Sequence, residues 1–328
     1  MSAEPLSIRQ RLDLGLAEPA DAHDMVDVIH AAFGARRSVD VPPAALAETE
    51  GSVAGALTGG FGIIARVDGR AAGVVLVSLR GDGSAGEPVA AHWHRVSVHP
   101  DFQRHGIATA MIEVAEELSA LRGASFGELD VRIEFPELLA WWTRLGYTVL
   151  GRGDRLLRVG RELPVAYEVP TPDDMRRLGT RLARLVRAGD LVIAGGELGA
   201  GKTTLTQGLG AGLGVAGPVI SPTFVLSRVH PSTTGGPGLV HVDAYRLGRP
   251  GELDDIDLDS TAADAVTVVE WGEGRAEQLS PDRLTITIER SGDPDDETRF
   301  VFLRGTGRRW EHLHVLVATA REGLVDHV

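Results

Sequence analysis

The octapeptide GELGAGKT at positions 196–203 constrains this chain more than any other stretch of its sequence. It matches the template G-x-x-x-x-G-K-[ST], whose glycines let backbone N–H groups turn inward around phosphate oxygens at a helix N-terminus. The apolar run LVIA at 191–194 precedes it, and TLTQGLGAGL at 204–213 follows it. The sequence therefore predicts a strand, a phosphate-binding loop and a helix, in this order.

Lys202 within this octapeptide is the only lysine of the chain, since every other one of the 33 Lys+Arg residues is arginine. A compact ammonium can reach between β- and γ-phosphates as a point charge, whereas the broad guanidinium fits that slot poorly. We also expect the hydroxyl of Thr203 to ligate Mg²⁺. The predicted nucleotide-binding residues are Gly196, Glu197, Leu198, Gly199, Ala200, Gly201, Lys202, Thr203 and Thr204.

Composition limits the classes of protein that fit. With 328 residues the chain has about twice the usual domain length, so two domains are expected. No apolar run approaches the ~20 residues that span a bilayer, and the first residues lack an apolar signal core, which predicts a cytosolic protein. The absence of cysteine excludes disulfides and thiolate chemistry. A net charge of −13 argues against coating nucleic acid through a general positive field.

Two acidic residues end apolar runs downstream of the loop. GLVHVDAYRL contains Asp243, and AVTVVEWGE contains Glu270. Both runs are typical of buried parallel strands, whose C-terminal ends lie where ligands bind in such sheets. We expect the two carboxylates to hold Mg²⁺ and to orient the attacking water. A standard GTPase would need an Asn-Lys-x-Asp motif, which a chain with one lysine cannot supply.

Four motifs in order resemble the TsaE family, the ATPase component of the bacterial machinery that makes threonylcarbamoyladenosine in tRNA. They are GELGAGKTTLTQGLGAGLG at 196–214, SPTFVL at 221–226, HVDAYRL at 241–247 and VVEWGE at 268–273, and the likeness covers about residues 165–320. The resemblance implies ATP and Mg²⁺ as cofactors. It places Thr203 and Glu270 near the metal, with Asp243 also at the metal site, and it makes Asp243, Glu270 and Lys202 the catalytic residues.

The same resemblance implies a switch segment and partners. Ser221, Pro222 and Thr223 would sense the nucleotide, and Trp271 would lie beside the site. The partners would be TsaB- and TsaD-type proteins, with TsaD carrying the transfer chemistry and tRNA reached only through that complex. We interpret the acidic run ELDDIDLD at 252–259 as a solvated helix or loop rather than a docking surface.

In the N-terminal half, QRHGIA at 103–108 follows a strand that ends near Val98. It resembles the Q/R-x-x-G-x-G/A motif of the GNAT acyltransferases, whose backbone N–H groups hold the pyrophosphate of acetyl-CoA. The likeness covers roughly residues 8–160. It assigns acetyl-CoA binding to Val98, Gln103, Arg104, His105, Gly106, Ile107 and Ala108.

Two positions depart from the GNAT pattern. Family members often carry an Asn where this chain has Phe135, and a Tyr that protonates the CoA thiolate where this chain has Trp142. The motif at 103–108 still leads us to expect acetyl-CoA binding. Because the usual acid is missing, acetyl transfer by the usual route is not expected, and whether the domain acetylates an acceptor stays open. The alternative for the whole chain is a P-loop kinase of a small molecule, fused to a non-catalytic GNAT-fold interaction module.

Histidines and tryptophans of the N-terminal half need separate interpretations. Alternation along the strand places His92 and His94 on one face, with His99 following. Because no further ligands are identifiable, we predict ordinary histidines rather than a metal site, with His94 a candidate general base. Trp141 and Trp142 are expected in the core or in a pocket wall.

Local patterns predict the remaining elements. Thr171, Pro172 and Asp174 indicate a helix start, followed by one apolar face. RLTITIERSGDPDDETRFVFLRGTG at 283–307 predicts a hairpin, and HPSTTGGPG at 230–238 predicts a mobile loop between strands. The predicted faces are Met175, Leu178, Leu182 and Leu185 in this helix, and Ile107, Met111, Val114 and Leu118 in the helix after QRHGIA.

The predicted fold class is therefore α/β. A GNAT-like mixed α/β domain at 1–163 is followed by a P-loop NTPase α/β domain at 164–328 that carries a C-terminal β-hairpin.

Overall fold

A computed structural model describes residues 8–37, 42–81, 88–222, 225–246, 263–293 and 295–322. The chain divides into two compact units, Met1–Leu163 and Pro164–Val328. Both are mixed α/β structures, as the predicted fold class requires. Among the described residues, no helix is long and apolar enough to cross a membrane.

The first unit is built on a seven-stranded sheet with the order β1-β2-β3-β4-β5-β7-β6. Only β4 and β5 pair in parallel. Its strands are β1 (Leu12–Leu16), β2 (Phe61–Val67), β3 (Arg70–Arg80), β4 (Val89–Val98), β5 (Ala124–Arg132), β6 (Thr148–Arg152) and β7 (Leu156–Glu162), and its helices are α1 (Ala22–Gly34), α2 (Glu50–Gly59), α3 (Ile107–Leu121) and α4 (Pro136–Arg144).

The helices of this unit cover both faces of the sheet. Helices α1 and α2 share a core with Val74 and Leu76 of β3. Helix α3 lies on the other face, where a Cβ placed on Gly73 would meet Met111 at 2.8 Å. Because side chains alternate along a strand, Gly73 leaves room for α3 while its neighbour Val74 points to α1.

A gap opens in the sheet between β4 and β5. The two strands pair only up to His92 and Glu128. Beyond these residues β4 continues beside β3, and β5 continues beside β7. The ends of β4 and β5 therefore diverge and leave space between them.

Helix α3 buries a face that differs in part from the predicted one. Ile107 and Met111 are buried as expected, but Val114 and Leu118 are only half-buried. The buried face turns instead toward Ile112, Ala115, Glu116 and Ser119. Because this face includes the polar residues Glu116 and Ser119, a pattern of apolar residues alone did not predict it.

The second unit is also built on a seven-stranded sheet, with the order β10-β11-β12-β9-β13-β14-β8. Its four central strands are parallel. The strands are β8 (Val165–Val169), β9 (Leu191–Gly195), β10 (Ser227–His230), β11 (Gly238–Asp243), β12 (Ala265–Glu270), β13 (Arg283–Arg290) and β14 (Arg299–Thr306), and the helices are α5 (Pro172–Leu182), α6 (Lys202–Leu213) and α7 (Leu313–Glu322).

Several local predictions are confirmed in this unit. Asp174 N donates to Thr171 Oγ1 at 3.1 Å, which caps α5. Met175, Leu178 and Leu182 are buried on one face of α5, and Leu185 is half-buried beyond its end. β13 and β14 form the predicted antiparallel hairpin.

The loop predicted to be mobile at 230–238 does separate β10 from β11, but it is anchored. His230 is the buried last residue of β10. Thr233 donates through both N and Oγ1 to Gly214 O, at the C-terminal end of α6. Ala216 N donates to Pro231 O at 2.8 Å. The two bonds from Thr233 give the carbonyl of Gly214, at the helix end, the donors that it would otherwise lack.

Helix α6 contains glycines in its interior, which costs about 1 kcal/mol each relative to alanine. The close approach of α5 explains them. A Cβ on Gly208 would lie 2.1 Å from Arg176 O, and a Cβ on Gly179 would lie 2.2 Å from Leu205 O. The glycines therefore let the two helix backbones touch and hold α6 against the sheet.

We predict that Gly208→Ala destabilises the second unit by about 1 to 3 kcal/mol, because the added methyl group forces α5 away from α6. The measurement is denaturant unfolding of the full chain. Gly55→Ala is the control, since Gly55 lies on helix α2 with nothing near its Cβ position, and this change should stabilise by about 0.4 to 1 kcal/mol. Equal effects of the two changes would contradict the packing argument.

Candidate functional site

The loop 196–203 joins strand β9 to the N-terminus of α6. Gly196, Gly199 and Gly201 have φ of 130°, 78° and 110°, a left-handed region that other residues avoid. A Cβ on Gly196 would also lie 2.3 Å from Ile288 O of strand β13. Within the loop, Leu198 is exposed and Ala200 is buried. The backbone is thus shaped as the phosphate-loop template predicts.

Lys202 is almost fully buried, and its ammonium group makes three contacts. Nζ donates to Gly196 O at 2.6 Å and to Glu197 O at 2.9 Å, and it lies 3.7 Å from the centre of the Trp271 ring. Burial lowers the pKa of Lys202, while the carboxylates of Glu270, Asp243 and Glu273 act in the opposite direction. Three donors on one point charge suit these contacts, whereas a planar guanidinium does not.

Glu270 connects the loop helix to the sheet. Thr203 Oγ1 donates to Glu270 Oε2 at 3.0 Å. Glu270 ends β12 and pairs in register with Asp243, which ends the neighbouring parallel strand β11. The three predicted metal-site residues therefore meet at one edge of the sheet. A hydroxyl and two carboxylates are oxygen donors, the kind that Mg²⁺ prefers.

Asp243 has partners of its own. Its Oδ2 accepts from Ser221 Oγ at 3.1 Å, and its Oδ1 accepts from Tyr245 N at 3.0 Å. Ser221, and with it Pro222, thus lies beside the acidic pair. Thr223, the third residue of the predicted switch, and the acidic run 252–259 lie outside the described residues.

Several residues of this site were not predicted. His241 Nε2 donates to Glu270 Oε1 at 2.8 Å from a fully buried position. The carboxylate of Glu273 lies against Gly195, where a Cβ would be 2.0 Å from Oε1. The rings of Tyr245 and Trp271 are 5.1 Å apart. His241, Tyr245 and Glu273 all lie inside the quoted motifs. The motifs could therefore have indicated that these residues are near the site, but not which side chains they contact.

The first unit contains a cavity of about 960 Å³ at the gap between β4 and β5. Six of the seven residues predicted to bind acetyl-CoA line it, whereas the exposed His105 does not. Gln103 Nε2 donates to Val98 O at 3.2 Å. Arg104 and Gly106 have φ of 66° and 80°, so the backbone turns sharply into the N-terminus of α3. The lining residues from this prediction are Val98, Gln103, Arg104, Gly106, Ile107 and Ala108.

None of the described residues that line the cavity is a tyrosine, so the usual acid is not found among them. Phe135 and Trp142 are buried and line the cavity, and Trp141 lines it as well, as predicted for the tryptophans. Tyr147 cannot replace the acid, because its hydroxyl accepts from Trp93 Nε1 at 2.7 Å and donates to Glu116 Oε1 at 2.9 Å in the core. Burial and the Glu116 carboxylate raise the pKa of Tyr147 well above its ordinary value.

The predicted pair His92 and His94 lines the same cavity, with ring centres 4.5 Å apart. Ser78 Oγ lies 2.7 Å from His94 Nε2. Burial lowers the pKa of His94 to about 4, and His92, Arg80 and Arg95 act in the same direction. Burial also lowers the pKa of His92. Among the described residues there is no group of three or more His, Cys, Asp or Glu that could hold a metal ion.

Comparison with known proteins finds a family match and relatives for the second unit. Residues 169–299 match the model of the family described as threonylcarbamoyl adenosine biosynthesis protein TsaE. A Streptomyces coelicolor protein named tRNA threonylcarbamoyladenosine biosynthesis protein TsaE is 61% identical over 145 residues, which are 44% of this chain and 98% of that protein. The C-terminal half of the chain belongs to the TsaE family. A Bacillus subtilis TsaE is 36% identical over 148 residues, 45% of this chain and 89% of that protein.

Residues 26–147, in the N-terminal half, match the model of the acetyltransferase (GNAT) family.

Two solved structures are similar to parts of this chain. Bacillus subtilis YdiB has 27% identity and a TM-score of 0.40 over 49% of this chain and 95% of that chain. The PaiA N-acetyltransferase of Thermoplasma acidophilum, solved with coenzyme A, has 11% identity and a TM-score of 0.41 over 46% of this chain and 98% of that chain.

We predict that His94 titrates near pH 4 rather than 6.5. Between these values the unfolded chain binds a proton at this position that the folded chain does not bind, so folding stability should fall as the pH drops from 6.5 to 4. His94→Gln should reduce this loss. Histidine NMR titration and denaturation midpoints at several pH values test this, and a His94 midpoint near 6.5 would refute it.

Proposed function

We propose that the second unit hydrolyses ATP with Mg²⁺ as the ATPase of the tRNA threonylcarbamoyladenosine machinery. The observation that carries this proposal is the meeting of Thr203, Glu270 and Asp243 beside the phosphate loop, in a chain that belongs to the TsaE family. A site of action in the cytoplasm goes with this proposal, because the machinery acts on tRNA there. TsaB- and TsaD-type proteins would be its partners, and tRNA would be reached only through them.

Each residue of the site has a role in this proposal. Backbone N–H groups of residues 196–204 and the ammonium of Lys202 bind the phosphates. Thr203, Glu270 and Asp243 hold the metal, and Asp243 also orients the attacking water. The bound Mg²⁺ would neutralise negative charge on the phosphate oxygens. Ser221, Pro222 and Thr223 would respond to the nucleotide, since Ser221 already contacts Asp243.

We propose that the first unit is the acetyltransferase-like domain, with its boundary at residue 163, and that it binds acetyl-CoA in the cavity between β4 and β5. Residues 103–108 would hold the pyrophosphate through backbone N–H groups at the N-terminus of α3. His94 is the base available for an amine acceptor, because it is neutral at neutral pH and lines the cavity. Without a tyrosine at position 142, the departing thiolate would take its proton from another group or from water.

Replacing Lys202 tests the ATPase proposal. In cells that depend on this chain as their only TsaE-family protein, Lys202→Ala should abolish threonylcarbamoyladenosine, measured by mass spectrometry of tRNA nucleosides. Hydrolysis of ATP by the purified assembly should fall about 100-fold. Lys202→Arg should fail similarly, since the guanidinium does not fit the slot. Arg184→Ala, an exposed change in the same unit, is the control, and normal modification with Lys202→Ala would sink the proposal.

Calorimetric titration of acetyl-CoA into the full chain, with and without ATP and Mg²⁺, tests the first unit. We expect binding, and a loss of about tenfold with Gly106→Ala, because a side chain in the left-handed region costs about 1–2 kcal/mol. Gly146→Ala carries the same backbone penalty away from the cavity, with φ of 87°, and should bind normally. No binding by the unchanged protein would leave the first unit a non-catalytic interaction module.

A further inference from the structure

His241 is the fully buried histidine of strand β11, two residues before Asp243. Its Nε2 lies 2.8 Å from Glu270 Oε1. Because an ionised carboxylate can only accept hydrogen bonds, His241 is the donor. Its other ring nitrogen, Nδ1, is buried without a hydrogen-bond partner among the described residues. A buried polar atom without a hydrogen-bond partner lowers the stability of the fold. The bond to Glu270 is therefore the hydrogen bond that favours a histidine at this position.

A second donor to the same oxygen does not replace His241. Thr206 Oγ1 lies 3.3 Å from Glu270 Oε1, but it lies closer, at 2.9 Å, to Lys202 O. A threonine hydroxyl has one hydrogen, and the shorter contact is the stronger candidate for it. The shorter hydrogen bond to Glu270 Oε1 therefore comes from His241, at 2.8 Å, rather than from Thr206.

The other carboxylate oxygen faces the loop. Thr203 Oγ1 donates to Glu270 Oε2, so the two oxygens of one carboxylate are held from opposite sides. With Oε1 tied to His241, rotation of the carboxylate is restricted and Oε2 stays beside the hydroxyl of Thr203. In known metal sites, partners of this kind orient the ligand, and their loss costs about 10- to 100-fold in metal affinity or activity.

We propose that His241 is a positioning residue that fixes Glu270 so that Oε2 and the Thr203 oxygen are presented together to the Mg²⁺ of the nucleotide complex. This inference rests on the proposed ATP and Mg²⁺ function of the site. His241 itself contacts neither the metal nor the nucleotide; it acts through the carboxylate of Glu270.

Binding measurements on the full chain test this role without relying on activity. A fluorescent ATP analogue is bound first in EDTA, and Mg²⁺ is then titrated. We expect His241→Leu to raise the Mg²⁺ concentration for half-maximal effect by about 10- to 100-fold, with nucleotide affinity in EDTA unchanged. His241→Gln keeps an N–H donor at nearly the same reach and should stay within about threefold of the unchanged protein.

Two further variants separate positioning from folding. His241→Asn keeps a polar side chain too short to reach Glu270, so it should behave as His241→Leu does, and it replaces that variant if leucine prevents folding. His230→Leu removes another buried histidine of this sheet, whose Nδ1 lies 3.4 Å from Ala216 O and which makes no hydrogen bond to Glu270 in the part of the chain that the structure describes. It should lower stability and leave the Mg²⁺ half-point unchanged.

The outcomes are distinct. The proposal is overturned if the Mg²⁺ half-points of His241→Leu and His241→Asn stay within about threefold of that of the unchanged protein. It is also overturned if the half-point of His241→Gln rises as much as theirs. A third contrary result would be that His241→Leu and His241→Asn weaken nucleotide binding in EDTA as much as they weaken the effect of Mg²⁺. If Mg²⁺ has no effect on nucleotide binding by the unchanged protein, the proposed function of the site is wrong, and the role of His241 that rests on it falls with it.

Discussion

The arrangement of the second unit depends most on the hydrogen bonds of the buried carboxylate of Glu270. It accepts hydrogen bonds from Thr203 at the start of α6 and from His241 on β11, while it ends β12 itself. A buried carboxylate is costly unless hydrogen-bonded, and here each bond also ties one element to another. The N-terminus of α6 is thereby tied to the end of β12, and Lys202 lies within the electrostatic influence of Glu270 and Asp243.

The strand order explains why this arrangement forms. β12 lies between β11 and β9, and the loop rises from the end of β9. The acids that end β11 and β12 therefore lie at the same edge of the sheet as the loop that follows β9. Helix α5 shares one core with α6 and the sheet, and the glycines of α6 let the two helix backbones touch. A bulkier residue at Gly208 would force α5 away from α6, the helix that carries Thr203.

In the first unit the candidate site lies where the pairing of two strands ends. Where β4 and β5 separate, their polar groups and the N-terminus of α3 border one cavity, and His94 lies in its wall with a lowered pKa. The hydroxyl of Tyr147 is used in the core, between Trp93 and Glu116. Among the described residues that line the cavity there is therefore a histidine that is neutral at neutral pH, but no tyrosine hydroxyl.

Sequence by itself determined the features that depend on neighbouring residues. The glycines and Lys202 of the loop, the cap at Thr171, the hairpin after β13, and the acids at the ends of β11 and β12 all follow from short patterns, because local backbone preferences and periodicity produce them. Tertiary structure alone decided which distant side chains meet. His241 reaches Glu270, Glu273 packs on Gly195, and α3 buries Glu116, because strand order and helix packing bring together residues that no local pattern relates.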